Sequence, residues 1–245
     1  MRSFIARCTA PVWLFLCLFS SESMSAETLI YSGTAVSLDG EKLLYREEHE
    51  LRTEGQKPIS REVRYFDSDG ALFATKSNRY QATPTTPDFV LDDSRSDYRE
   101  SVSAQGNRWT FGFREAGTSD QRTVGKPDYT PVIDAGFDEF VRASWPRLIA
   151  GKTASFSFAV ASRLEWIDFR LIPLQQSGNT LDVEMRLKSR LLSWLLDPVQ
   201  LTYDLKTQRL LRYRGLTNIR TESGEGIYAE IRYTYPDLSH KESPQ

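Results

Sequence analysis

The stretch Ala135–Leu171, AGFDEFVRASWPRLIAGKTASFSFAVASRLEWIDFRL, decides how the rest of this chain is read. Phe137, Phe140, Val141, Trp145, Leu148 and Ile149 recur at the 3.6-residue spacing of one apolar helix face. Asp138 is placed to cap the start, and Gly151 to supply the left-handed stop. Pro146 falls inside the pattern. Since proline removes a backbone donor and crowds the preceding turn, the helix must either kink there or split into two short helices beside Trp145. Directly afterwards Phe156, Phe158 and Val160 alternate with small or polar residues, so the period changes from 3.6 to two.

Outward from this segment the sequence reads as strand after strand. On the N-terminal side, Thr28–Val36, Leu43–Thr53, Ile59–Phe66 and Ala71–Lys76 are joined by short turns, among them Asp67-Ser68-Asp69-Gly70. That turn lacks the glutamate a twelve-residue calcium loop requires. Further strands are expected at Phe89–Asp93, Ser96–Ala104 and Asn107–Glu115, followed by a long polar loop over Ala116–Pro131. On the C-terminal side the strands are Thr153–Val160, Trp166–Pro173, Thr180–Lys188, Val199–Asp204, Arg209–Leu216 and Ile227–Tyr235. The expected fold is mainly β: a large curved antiparallel meander sheet, half-barrel or barrel, with one kinked amphipathic helix packed against it. One β-rich domain over 27–238 accounts for the pattern, with a polar tail at 239–245.

Residues 1–26 follow other rules. Arg2 and Arg7 precede the ten-residue apolar run Ala10–Phe19, and the small residues Ser23 and Ser25 fit a signal-peptide cut after Ser25, with Ala26 as the alternative. Ten apolar residues are too few to span roughly 30 Å of hydrocarbon, so a cleaved leader is expected rather than an anchor. The expected location is periplasmic or secreted. Both cysteines, Cys8 and Cys17, lie in this segment, and Leu16 occupies the position where lipoprotein cleavage needs a small residue. The expected mature chain therefore has no disulfide, and thiol chemistry is excluded from it. Removing Arg2, Arg7 and Glu22 from 31 basic and 33 acidic residues leaves 29 against 32. With both signs interspersed along the chain, nothing favours nucleic acid as a partner.

The polar strand Tyr45-Arg-Glu-Glu-His-Glu-Leu51 places Tyr45, Glu47, His49 and Leu51 on one face and Arg46, Glu48, Glu50 and Arg52 on the other. Glu47 and His49 thus point to the side that carries the apolar residues. Metal binding would need a third protein ligand, and the only other histidine is His240 in the tail. Carboxylates for glycoside hydrolysis exist at Asp92, Asp93, Asp97, Glu165 and Asp168, but their facing is not readable from spacing. The chain has neither a Gly-x-Ser-x-Gly elbow nor a phosphate-binding glycine loop. No catalytic residue, metal or cofactor is assigned.

The aromatic residues suggest a different use. A curved sheet covered by one helix leaves an apolar cleft between them, suited to a hydrophobic or lipid-like ligand. Candidate ligand-binding residues are Glu47, His49, Trp145, Phe156, Phe158 and Trp166. Leu192, Trp194 and Leu195, in the apolar knot before Pro198, are candidates for docking an envelope partner. The leading expectation is a non-catalytic carrier or envelope chaperone. A structural or interaction module of the cell envelope is the alternative, and a hydrolase using Glu47 and His49 a third reading.

The stretches LLYREEHEL, REVRYFDSDGALFATK, GFDEFVRASWPRLIAGKTASFSFAVASRL and DPVQLTYDLKTQRLLRYRGLTNI resemble exported bacterial β-rich proteins of unknown function. The pattern is also loosely similar to the half-barrel sheet of periplasmic lipoprotein carriers, whose hydrophobic cavity is covered by helices. Neither resemblance carries a functional residue over to this chain.

Overall fold

A computed structural model of the chain describes residues 26–189 and 197–236. The expected leader up to residue 25, the docking candidates Leu192, Trp194 and Leu195, and the tail at 239–245 lie outside them. The N-terminal strands are β1 (Ala26–Val36), β2 (Leu43–Glu54), β3 (Lys57–Phe66), β4 (Leu72–Arg79), β5 (Asp88–Asp93), β6 (Tyr98–Gln105), β7 (Arg108–Glu115) and β8 (Thr118–Val124). A short β9 (Thr130–Val132) leads into helix α1 (Gly136–Ile149). There follow β10 (Ala154–Val160), a 3-10 turn (Ala161–Arg163), β11 (Glu165–Ser177), β12 (Thr180–Leu187), β13 (Val199–Asp204), β14 (Leu210–Arg220) and β15 (Gly226–Thr234).

All fifteen strands form one sheet in the order β8-β7-β6-β5-β4-β3-β2-β1-β15-β14-β13-β12-β11-β10-β9. Every ladder is antiparallel except the short parallel pairing of β9 with β10. A sheet of this width cannot stay flat. Adjacent strands twist by roughly 20–25°, and open sheets beyond about ten strands curl or split. Register shifts in the β1–β2, β2–β3, β3–β4 and β11–β12 ladders add local bends.

The curl brings the two flanks together without a hydrogen-bonded ladder. The Trp166 indole, at the start of β11, sits edge-on to Trp109 and Phe111 of β7, with ring centroids 5.3 and 5.2 Å away. Its Nε1–H donates to Gly125 O at 3.1 Å. Closure by side chains rather than backbone makes this a barrel-like sheet that is not a closed barrel.

Strand alternation positions the interior. In β2 the buried residues are Tyr45, Glu47, His49 and Leu51, and in β3 they are Arg61, Val63 and Tyr65. Two apolar clusters result. One joins β2–β7 to β14 and β15 around Tyr45, Tyr65, Leu91, Phe111 and Ile231. The other packs α1 on β10–β13 around Phe140, Trp145, Leu148, Phe156, Leu171 and Tyr203.

The structure corrects three expectations and decides between the two outcomes left open at Pro146. The Ala116–Pro131 loop contains β8 and β9. The β7–β8 hairpin turns through Ala116 and Gly117, both at positive φ (49° and 78°), as a two-residue primed turn requires. Alanine hides that turn, and the β8 sequence TSDQRTV carries no apolar face because it is an exposed edge strand. Pro146 does not split the helix, since α1 runs through it as one element. Asp138 does not cap α1. The N-cap is Ala135 with no side-chain bond, and Asp138 instead pairs with Arg61 at 2.7 Å. The cleft also lies elsewhere, because the body of α1 packs directly on the strands beneath it. Gly151, at φ 72°, ends the helix as expected: its N–H reaches Leu148 O and that of Lys152 reaches Arg147 O.

Candidate functional site: a cavity between two cores

Between the two apolar clusters lies a cavity of about 1550 Å³. Its wall on the second flank carries the apolar residues Phe158, Ile167, Phe169, Met185, Leu187 and Leu201, with Glu165, Asp168 and Lys188 also in the lining. The opposite wall combines tyrosines with charge: Tyr31, Tyr65 and Tyr233 alongside Glu47, His49 and Arg61. The helix contributes only its first turn, through Phe137 and Asp138.

Four of the six residues singled out for ligand binding (Glu47, His49, Phe158 and Trp166) line this cavity. Trp145 and Phe156 do not, and they correct the expectation that the helix face forms a pocket wall. Trp145 packs edge-on to Tyr203 at 6.0 Å, and Phe156 lies among Phe137, Phe140, Phe158 and Phe169 at 4.8–6.4 Å. Both fill the solid core beneath α1.

Glu47 and His49 form a buried pair, with Nε2 of His49 2.8 Å from Oε2 of Glu47. The His49 ring stacks on Tyr31 at 4.3 Å and 11°, and Tyr31 stacks in turn on Tyr235 at 4.7 Å. Burial pushes the His49 pKa below 6.5, outweighing the hydrogen bond and charge of Glu47 that act to raise it. The imidazole is therefore neutral at pH 7. Assigning its Nε2–H as donor to the carboxylate leaves Nδ1 as a bare acceptor, and Nδ1 has no partner among the described residues. The carboxylate fits because Gly33 faces it from β1, where a Cβ would stand 3.0 Å from Oε2 and 3.1 Å from both Ile231 and Tyr233. Burial also pushes the Tyr31 hydroxyl up to about 12.

The next strands add ion pairs. Arg61 of β3 meets Asp138, and Lys76 of β4 meets Asp134 at 3.2 Å. Burial would raise the Asp138 carboxyl, but Arg61 and Arg142 hold it below the ordinary carboxylate range. Asp134 sits at φ 37°, a strained conformation for a residue other than glycine, just before the helix. Farther along, the Tyr98 hydroxyl donates to Glu100, whose carboxyl burial pushes up against the opposing influence of Tyr98, Arg220 and Ser162. Arg220 lies over the Tyr98 ring at 4.6 Å and pairs with Glu115 at 3.1 Å.

Arg61, Lys76, Tyr98, Glu100 and Asp134 were not among the sequence candidates, although three carry a signal. Arg61 is in phase with Val63 and Tyr65, Lys76 with Ala74 and Asn78, and Glu100 with Tyr98 and Val102. A charge on the apolar face of a strand marks a polar interior. Chemically, this wall can accept hydrogen bonds and hold charge. Among the described residues no group of three histidine, cysteine or acidic side chains is placed to hold a metal ion, and no helix is long and apolar enough to cross a membrane.

No family model matches the chain, and no curated protein does. Among solved structures it is similar to a beta-barrel-like protein of the domain of unknown function DUF1849 from Brucella abortus. The TM-score is 0.52 at 8% identity, over 85% of this chain and 94% of that one. At that identity the likeness concerns the fold alone: a β-rich, barrel-like architecture shared with a family of unknown function.

Proposed function

We propose that this chain is an exported, non-catalytic binding protein that carries a hydrophobic or lipid-like small molecule within the curl of its sheet, as a carrier or envelope chaperone. The observation that supports this reading is the cavity. Ligand pockets typically measure roughly 300–1,000 Å³ and are mostly apolar with a few polar groups. This one, at about 1550 Å³, is larger, and Phe158, Ile167, Phe169, Met185, Leu187 and Leu201 give it an apolar surface. An interior built only for stability would fill such a space with side chains, since cores pack like organic crystals. Export rests on the leader-like layout of residues 1–26, and intact mass of the protein from its host is expected to begin at residue 26 or 27.

Titration with the apolar dye N-phenyl-1-naphthylamine tests the binding reading, together with native mass spectrometry of protein taken from its own host. Saturable enhancement at one dye per chain is expected, along with a co-purifying small molecule in the mass spectrum. Enhancement that rises linearly without saturating, on protein carrying no adduct, would overturn the proposal.

A further inference from the structure

Hydrogen-bonding capacity is unevenly spent on the polar wall of the cavity. Three buried side-chain atoms of the lining have no partner among the described residues: His49 Nδ1, Asp134 Oδ2 and Arg61 Nε. The first two are acceptors. The third belongs to a guanidinium already paired with Asp138. Formal charge is unevenly spent too. Lys76 serves Asp134, Arg61 serves Asp138, and Arg220 serves Glu115. Among the described residues Glu47 has only the neutral His49 as its bonded partner, and Glu100 only hydroxyl donors. Glu47 and Glu100, like Asp128 and Asp168, are lining carboxyls with no bonded cation among the described residues.

The rings around Glu47 point to the same missing group. Tyr31, Tyr65, Tyr213 and Tyr233 all feel the Glu47 charge and all share the lining. A carboxylate with tyrosine rings nearby can hold an ammonium: ring quadrupoles and the carboxylate attract the same charge, and the attraction grows when water is excluded. The protein already uses this chemistry once in the same wall, where the Lys76 ammonium lies 6.0 Å over the Tyr65 ring and 3.2 Å from Asp134.

We infer that the ligand of this cavity is an amphiphile bearing a protonated amine, its ammonium seated among Glu47, His49 Nδ1 and the surrounding tyrosines and its apolar body lying along Phe158, Phe169 and Leu201. The inference rests on the binding reading above and adds the class of head group. An ammonium supplies N–H donors to the bare acceptors and positive charge to the unmatched carboxyls. A carboxylate or phosphate head group seated there would meet like charge from Glu47.

The test uses three probes of equal chain length below their micelle-forming concentrations, n-decylammonium, n-decanol and decanoate, each displacing N-phenyl-1-naphthylamine from the full chain at pH 7. Decylammonium is expected to bind at least about tenfold more tightly than decanol, with decanoate weakest. In Glu47→Gln, an isosteric change that keeps an oxygen for the His49 Nε2–H, the preference for decylammonium over decanol should fall about tenfold. His49→Phe keeps the stack on Tyr31, removes the acceptor, and should reduce the preference in the same direction. Decylammonium binding no better than decanol, or decanoate binding best, would overturn the inference while leaving the cavity a binding site. Failure of all three probes would remove the binding reading itself.

Discussion

Substituting Gly136 by alanine sets two physical effects of opposite sign against each other. Gly136 is the first residue of α1, and glycine in a helix is worth about 1 kcal/mol less than alanine, so helix propensity alone predicts a gain in stability. The structure predicts a loss. A Cβ on Gly136 would stand 2.5 Å from the carbonyl carbon of Thr85 and 2.8 Å from Cδ of Pro87, and closer still to the Thr85 oxygen. Ordinary contacts between carbons lie at about 3.5–4.0 Å, so the 83–87 loop must retreat by about 1 Å. The Thr85 oxygen accepts the Ile133 N–H at 2.9 Å, and retreat breaks that bond. Overpacking costs about 1–3 kcal/mol and an orphaned buried amide about 1–3 kcal/mol. After subtracting the propensity gain, the net loss centres near 3 kcal/mol. For a chain of this size that lowers Tm by about 6–12 °C, readable by circular dichroism. Gly151→Ala is the control: nothing lies within 4 Å of its Cβ, so it bears only the left-handed backbone penalty of about 1–2 kcal/mol. A Gly136→Ala protein melting at or above the wild-type temperature would show that the Thr85 contact does not constrain the helix start.

Three further outcomes follow from the cavity wall. Asp138→Asn strands the buried Arg61 charge and should cost about 3–5 kcal/mol in urea unfolding, with Arg61→Met added to it restoring most of the loss. His49 has a folded pKa below its unfolded value of 6.5, under the combined influence of burial, Glu47, Arg61 and Lys76, so its contribution to stability is present above pH 6.5 and lost as pH falls through the folded pKa. Melting temperatures from pH 7.5 to 5 should show that acid limb in the wild type and a flatter one in His49→Phe. Glu100 has the opposite sign: its folded pKa is above 4.5, so its contribution is present below pH 4.5 and lost as pH rises through the folded value. Glu100→Gln should therefore melt higher than wild type at pH 7 and at the same temperature below pH 4.5.

Most of the sheet was legible in the sequence because a strand with one buried face writes its register as alternation, and Tyr45, Glu47, His49 and Leu51 lie on the predicted face. Strand β8 was not, because an exposed edge strand has no buried face to write. The helix was legible in its period and stop signal but not in its first turn, where a tertiary partner, Arg61, claimed the residue that local chemistry assigns to the cap. The cavity was only half legible. Whether an aromatic residue faces a void or a neighbouring ring depends on how far the sheet curls, which spacing does not record. That is why Phe158 lines the cavity while Phe156, two residues earlier, fills the core beside it.

The strand order holds a consequence for folding. Apart from the β1–β15 ladder, every antiparallel pairing joins strands adjacent in the chain, so β1–β15 alone carries the loop-closure entropy of nearly the whole polypeptide. Ser32 pairs with Thr234 and Val36 with Glu230, which puts the start of β1 and the end of β15 at one end of the sheet. The free edges β8 and β9, by contrast, are neighbours in sequence. Linking the end of β15 to Ala26 by a loop long enough to span the six-residue overhang of β1, and opening the chain at 125–129, would convert the whole sheet into a succession of local pairings. Such a circular permutant is expected to fold faster than the natural order of the same strands.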